Sequence, residues 1–167
     1  MSKRGQFEIS FSMIFSIIII IAIIGISFYV INHFLTLSKC TKIGVFYEGL
    51  QENIEKAWQA QTCNSDICYK NTFKGQLPSG IEEVCLGNVS QYSSRQYEEE
   101  YNAFVGLNKK KENVFLYPPN KACDYSFSTL RLEHARSPEF FCIPVNNGEV
   151  EIKIQKGRYD SLASMVK

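Results

Sequence analysis

Six cysteines, Cys40, Cys63, Cys68, Cys85, Cys123 and Cys142, carry the most evident chemistry in this chain, and that chemistry is oxidation to disulfides. An even count in a small domain reads as a disulfide framework, which needs an oxidising compartment. Cys63 and Cys68 bracket a polar loop, CNSDIC, and close naturally on each other. Cys123 and Cys142 fall in neighbouring expected strands, which leaves Cys40, on a helix, for Cys85, on the sheet. That scheme is one of the roughly fifteen pairings open to six cysteines. Zinc ligation is the competing chemistry and calls for paired C-x2-C or Cys/His spacings. The chain offers a single C-x4-C and 2 histidines, so no metal and no cofactor is expected.

The other candidate groups are sparse. His134, in LEHAR, stands beside a charged turn with no nucleophile motif near it and is expected to be solvated. G-x-S-x-G, H-E-x-x-H and phosphate-loop patterns are missing, and the only aspartates are Asp66, Asp124 and Asp160. No catalytic residue and no enzymatic activity are therefore expected. Asn88-Val89-Ser90 is a glycosylation sequon, meaningful only outside the cell. With 18 basic and 17 acidic residues the chain has no basic surplus, so phosphate-neutralising contacts to nucleic acid are not expected.

The elements that position these groups begin with a membrane segment. No Asp, Glu, Lys or Arg occurs from Ile9 to Ser38. The apolar heart, residues 9–31, would rise roughly 34 Å as a helix, enough for a hydrocarbon core of about 30 Å. It is too long for a cleaved secretory signal, and no A-x-A site follows it. Lys3 and Arg4 precede it, Lys39 and Lys42 follow it, and all the cysteines lie beyond it. The charges and the disulfide framework together predict a single-pass protein of the cell membrane, with a cytoplasmic N-terminus and an extracytoplasmic C-terminal domain.

Ile43, Phe46, Leu50, Ile54 and Trp58 then recur at helical spacing, with Glu48, Glu52, Glu55 and Lys56 on other faces. One helix over residues 6–61 is predicted, followed by a head over 62–167. Within the head, strands are predicted at 73–77, 81–86, 114–117, 125–132, 140–145 and 150–154. A turn falls at Pro78-Ser79-Gly80 and an Asn-Gly hairpin at Asn146-Asn147-Gly148. Ser93 and Gln96 suggest a capping box, and Tyr97, Tyr101 and Phe104 the short helix after it. Glu98, Glu99 and Glu100 would form its wet face, and Lys109, Lys110 and Lys111 an exposed turn. The predicted class is α+β, a long N-terminal helix carrying a disulfide-linked antiparallel sheet.

Residues 3–10, KRGQFEIS, combine a basic pair, Gly-Gln, an acid and an unbroken apolar helix. This resembles the class III signal of archaeal type IV pilin-like proteins. The resemblance implies a cytoplasmic leader at residues 1–5, cut by a prepilin peptidase between Gly5 and Gln6. It also implies a pilin-like fold and self-assembly, or assembly with other pilin-like subunits, through the apolar helix. Many pilins place a glutamate fifth after the cut; here Ser10 is fifth and Glu8, at the third position, is the acid available for assembly. PSGIEEVC and VEIKIQKGRYDSL are similar to segments of uncharacterised archaeal membrane proteins with this layout. A non-polymerising single-pass anchor whose outer domain binds an envelope partner is the alternative.

Overall fold

A computed structural model describes residues 11–89, 96–106 and 111–167, with side chains from Met13 onward in the first helix. The architecture is α+β, as expected. Helix α1 spans Phe11–Gln59, 49 residues, and the chain divides between Leu37 and Ser38 into two compact units. In the first unit every large apolar side chain from Met13 to Leu37 is exposed.

In the second unit the apolar stripe of α1 becomes a core. Ile43, Phe46, Leu50 and Ile54 are buried, joined by Tyr47 and Ala57, while Glu48, Glu52 and Lys56 face solvent. The helix stops at Gln59, where Lys156 donates to the carbonyls of Trp58 and Ala60, a cation satisfying carbonyls left without intrahelical partners.

Two four-stranded sheets follow. Strands β1 (Ile67–Gln76), β2 (Glu83–Leu86), β3 (Val114–Tyr117), β4 (Thr129–Leu130), β5 (Ala135–Arg136), β6 (Phe141–Pro144), β7 (Glu149–Gly157) and β8 (Ala163–Val166) are joined by the short helix α2 (Glu98–Val105). The first sheet has the order β1-β7-β8-β5, with a parallel pairing only at β5–β8; the second, β4-β3-β2-β6, is antiparallel throughout. Val150, Ile152 and Ile154 alternate along β7 as the sequence pattern requires and point into the core with Phe73 of β1. On the opposite face Lys74 meets Glu151, its cross-strand neighbour. Gly75 of β1 lies under the Phe46 ring, where a Cβ would also come within 2.9 Å of Phe73 Cε1.

The second sheet is buried on both faces. Val84, Leu86, Val114 and Leu116 join the main core, whereas Cys85, Phe115, Phe140 and Cys142 pack with Phe104 of α2 in a second cluster. Phe104 and Phe115 have ring centroids 4.9 Å apart.

Three expectations change. Residues 125–128 form a 3-10 turn, because the Asp124 carboxylate accepts from Ser126 N at 2.9 Å and closes the chain locally; only Thr129–Leu130 is strand. Asn146-Asn147-Gly148 makes the expected tight turn, with Asn147 and Gly148 at positive φ and paired hydrogen bonds between Asn146 and Glu149. The strands it joins do not form a hairpin: β6 pairs with β2 and β7 with β1 and β8, so the chain changes sheet there. Glu98 and Glu99 are exposed, but Glu100 is half-buried against the second sheet. Tyr97 precedes α2 without a side-chain cap, and Ser93 of the expected capping box lies outside the described residues.

Glu83 shows what burial on both faces costs. Its Oε2 is buried and accepts no hydrogen bond from the described residues. Burial, first, then the charge and hydrogen bond of Glu100 and the charge of Glu82 push its pKa up, with Lys167 opposing. A carboxyl whose pKa is raised by folding stabilises the fold while protonated and loses that contribution as pH rises through its folded pKa. The full chain in detergent should therefore gain stability relative to Glu83→Gln as pH falls from about 7 to about 4. Parallel denaturation profiles for the two proteins would contradict the assignment.

Candidate functional site

Two features of the fold bear on function: the uncovered surface of α1, and the disulfide-linked head with the groups it exposes. From Met13 to Ile31, α1 presents apolar side chains around its whole circumference, and exposed Asn32 and His33 follow. Its hydroxyls do not break that character. Ser27 and Thr36 donate to the carbonyls of Ile23 and Asn32, one turn back, at 2.8 and 3.1 Å. A helix apolar on all sides, with its backbone bonded internally, is stable in a hydrocarbon medium. It is the one helix among the described residues long and apolar enough to cross a membrane, which agrees with single-pass anchoring. Gly5, Gln6 and Glu8, the residues expected to serve leader processing and assembly, lie outside the described residues.

All six cysteines are paired. Cys63–Cys68 forms as expected. The other pairs are Cys40–Cys123 and Cys85–Cys142, which replaces the expected Cys40–Cys85 and Cys123–Cys142. The reason is local. Cys123 lies in the irregular stretch after Pro118-Pro119, against α1, whereas Cys85 and Cys142 are directly opposed on neighbouring strands β2 and β6. Glu83 places a carboxylate oxygen within 4.8 Å of those two sulfurs. Both sulfurs are committed to the disulfide and so are not thiolate ligands for a metal.

His134 is not the solvated side chain the sequence suggested. It is half-buried, with its ring stacked on Trp58 at 3.8 Å between centroids and Nδ1 3.0 Å from Glu55 Oε1. Trp58, expected on the buried stripe, is 38% exposed instead. On that side the last turn of α1 meets the 131–136 stretch through His134. Asn113 shapes that loop, donating from Nδ2 to the carbonyls of Leu132 and Ala135 and accepting from Leu132 N. Sequence reasoning could have found Trp58 and Glu55 as neighbours at i and i+3 on the helix, but not their partner.

Beside the loop lies an open pocket of about 540 Å³, with Lys111, Arg131, His134 and Arg136 in its lining and Asn88 of the sequon on its wall. Arg136 is held in place by Asp160 and Ser164. The lining also includes Glu112 and Glu133, so its charge is mixed.

Two tyrosines are tied down by burial and by a carboxylate. Burial raises the pKa of Tyr47, whose hydroxyl donates to the Phe127 carbonyl at 2.8 Å. Tyr117 is pushed up to about 12, chiefly by its hydrogen bond to Glu99 and then by burial. Both are neutral donors at physiological pH that fasten loop and helix to the head.

Comparison with known proteins gives no match: no family model, no characterised protein and no solved structure aligns significantly with this chain.

Proposed function

We propose that this chain is a pilin-like subunit of an archaeal surface or secretion filament, assembling through its N-terminal apolar helix. The observation that carries the reading is the contrast within α1. Its first part keeps every apolar side chain from Met13 to Leu37 exposed, and its second part is the spine of a disulfide-linked head. In lipid, isoleucine gains nothing by leaving one apolar medium for another. The same surface therefore serves equally as a membrane anchor before assembly and as a packing surface between subunits after it.

In this reading the leader ends at Gly5, Gln6 becomes the new N-terminus, and Glu8 is the acid nearest it for pairing with a neighbouring subunit. The head is extracytoplasmic, which suits its disulfides and makes Asn88 a glycan acceptor. Its role is structural or adhesive, without catalysis or nucleic-acid binding. A second reading, the non-polymerising anchor with an envelope partner, draws on Ser10 standing where many pilins carry the assembly glutamate.

Mass spectrometry of the N-terminus from native membranes decides between them. A chain beginning at Gln6 is expected, and Gly5→Val should hold the whole population at its uncut length while leaving it in the membrane. An uncut wild-type population would sink the filament reading.

A further inference from the structure

The open pocket beside the 131–136 stretch lies wholly within the second compact unit and is walled by separate parts of the chain. These are the turn after β2 at Gly87 and Asn88, the segment entering β3 at Lys111, residues 131–137, and Leu162 before β8. The walls are bonded to one another. Gly87 N donates to the Asn113 carbonyl at 3.0 Å, Ala163 N to the His134 carbonyl at 2.8 Å, and Asn113 holds Leu132 and Ala135. His134 is clasped in turn by Trp58 and Glu55. A ligand entering walls already fixed in place loses little affinity to ordering them. The volume, about 540 Å³, falls within the range of small-molecule sites, about 300–1,000 Å³.

The lining is polar. Among the described residues no Phe, Tyr or Trp contributes to it, so an apolar or base-stacking ligand finds no platform. Arg136 is set by two bonds, Nε to Ser164 Oγ at 3.1 Å and Nη2 to Asp160, with Nη1 left over. Arg131 and Lys111 are exposed, and neither has a carboxylate partner among the described residues. Glu112 is engaged in an interaction of its own, which leaves Glu133 as the exposed carboxylate of the lining. We propose that this pocket binds an acidic sugar, a ring carrying an oxyanion beside its hydroxyls. Arg131 and Lys111, with Nη1 of Arg136, take the carboxylate or sulfate group, and Glu133 accepts hydrogen bonds from ring hydroxyls. Arginine presents paired donors that match an oxyanion, and bonds to a charged acceptor are the stronger kind. A carboxylate in the same lining repels a bare anion and so selects a ligand with donors near its charge. The proposal concerns the head alone: it holds whether the chain enters a filament or remains a solitary anchor, and it gives the head a ligand class.

Titration of the full chain in non-ionic detergent tests the proposal, with protein made in a host that adds no glycan at Asn88. The probes are glucuronate, a sulfated glucose, glucose and inorganic sulfate. Trp58 is the single tryptophan and stacks on His134 at the pocket wall, so its emission reports occupancy, and calorimetry follows the same titrations. One of the two acidic sugars should bind at least about tenfold more tightly than glucose, and the tighter of them identifies the acid group. Arg131→Gln should weaken that sugar roughly tenfold. Glu133→Gln should weaken it too while tightening inorganic sulfate. Both residues are exposed, and denaturation midpoints close to wild type would show that the fold is kept. Equal affinity for glucose and the acidic sugars overturns the role given to the cations. Inorganic sulfate held as tightly as the acidic sugars overturns sugar recognition and leaves a patch of positive charge. An affinity unchanged by Arg131→Gln puts the ligand elsewhere, and no response to any of the four probes by either method overturns the proposal outright.

Discussion

Gly75→Val is expected to cost the head about 3 kcal/mol, near the upper end for an overpacked core position. The estimate follows from what surrounds the residue. A Cβ on Gly75 would overlap the Phe46 ring, with Cε2 at 2.7 Å, and would sit 2.9 Å from Phe73 Cε1. Phe46 is 2% exposed, and the two rings pack with centroids 5.7 Å apart between α1 and the first sheet. The added side chain must push the helix off the sheet or force the rings out of their rotamers. Denaturant unfolding of the detergent-solubilised full chain measures the loss. The paired variant Gly75→Val with Phe46→Leu should recover part of it, because the second change removes the clashing ring edge. Strict additivity of the two substitutions would show that the contact is misassigned.

The second large effect concerns the disulfides, whose contributions should rank by the loops they close. Cys40–Cys123 spans a sequence separation of 83, Cys85–Cys142 of 57 and Cys63–Cys68 of 5. In the chain-entropy picture the first would contribute about 4.5 kcal/mol and the last about 2. Replacing both Cys40 and Cys123 by serine should therefore lower stability far more than replacing Cys63 and Cys68. The serines of the first pair stand at half-buried positions, so little desolvation is added. Removing Cys85 and Cys142, with 0% and 2% exposure, also opens a void among Phe104, Phe115 and Phe140; alanine there combines the lost constraint with a cavity. Denaturant midpoints of the three paired variants test the order. A Cys63/Cys68 variant as damaged as the Cys40/Cys123 variant would contradict it.

These two cases also mark how far the sequence could be read. The apolar run before Ser38 and the stripe through Ile43, Phe46, Leu50 and Ile54 were legible because one helix imposes one period on both. Strand β7 was legible because only one of its faces is buried. β2 and β3 were found only as apolar runs, since burial on both faces erases the alternation that assigns a residue to a side. Without that assignment, Cys85 could not be seen to oppose Cys142. The misreading of Tyr125 to Leu132 as strand then drew Cys123 to the wrong partner. β5 and β8 went unread because two and four residues carry no period, and β5 is held in part by a parallel pairing with β8 that no local pattern announces. The contact of His134 with Trp58 and Glu55 joins positions some 79 residues apart and was beyond any local rule.

The Cys40–Cys123 bond has a mechanical consequence. Tension applied along α1 meets a covalent junction two residues after Ser38, before it reaches the buried stripe or any strand. From there it passes into the segment that leads directly to β3 and the second sheet. Without the bond, the stretch from Cys40 to Cys85, less the loop closed by Cys63–Cys68, could be paid out as extended chain, on the order of 140 Å, before Cys85–Cys142 took the load. With it, that length is withheld, and the stretched chain transmits the pull instead of unravelling.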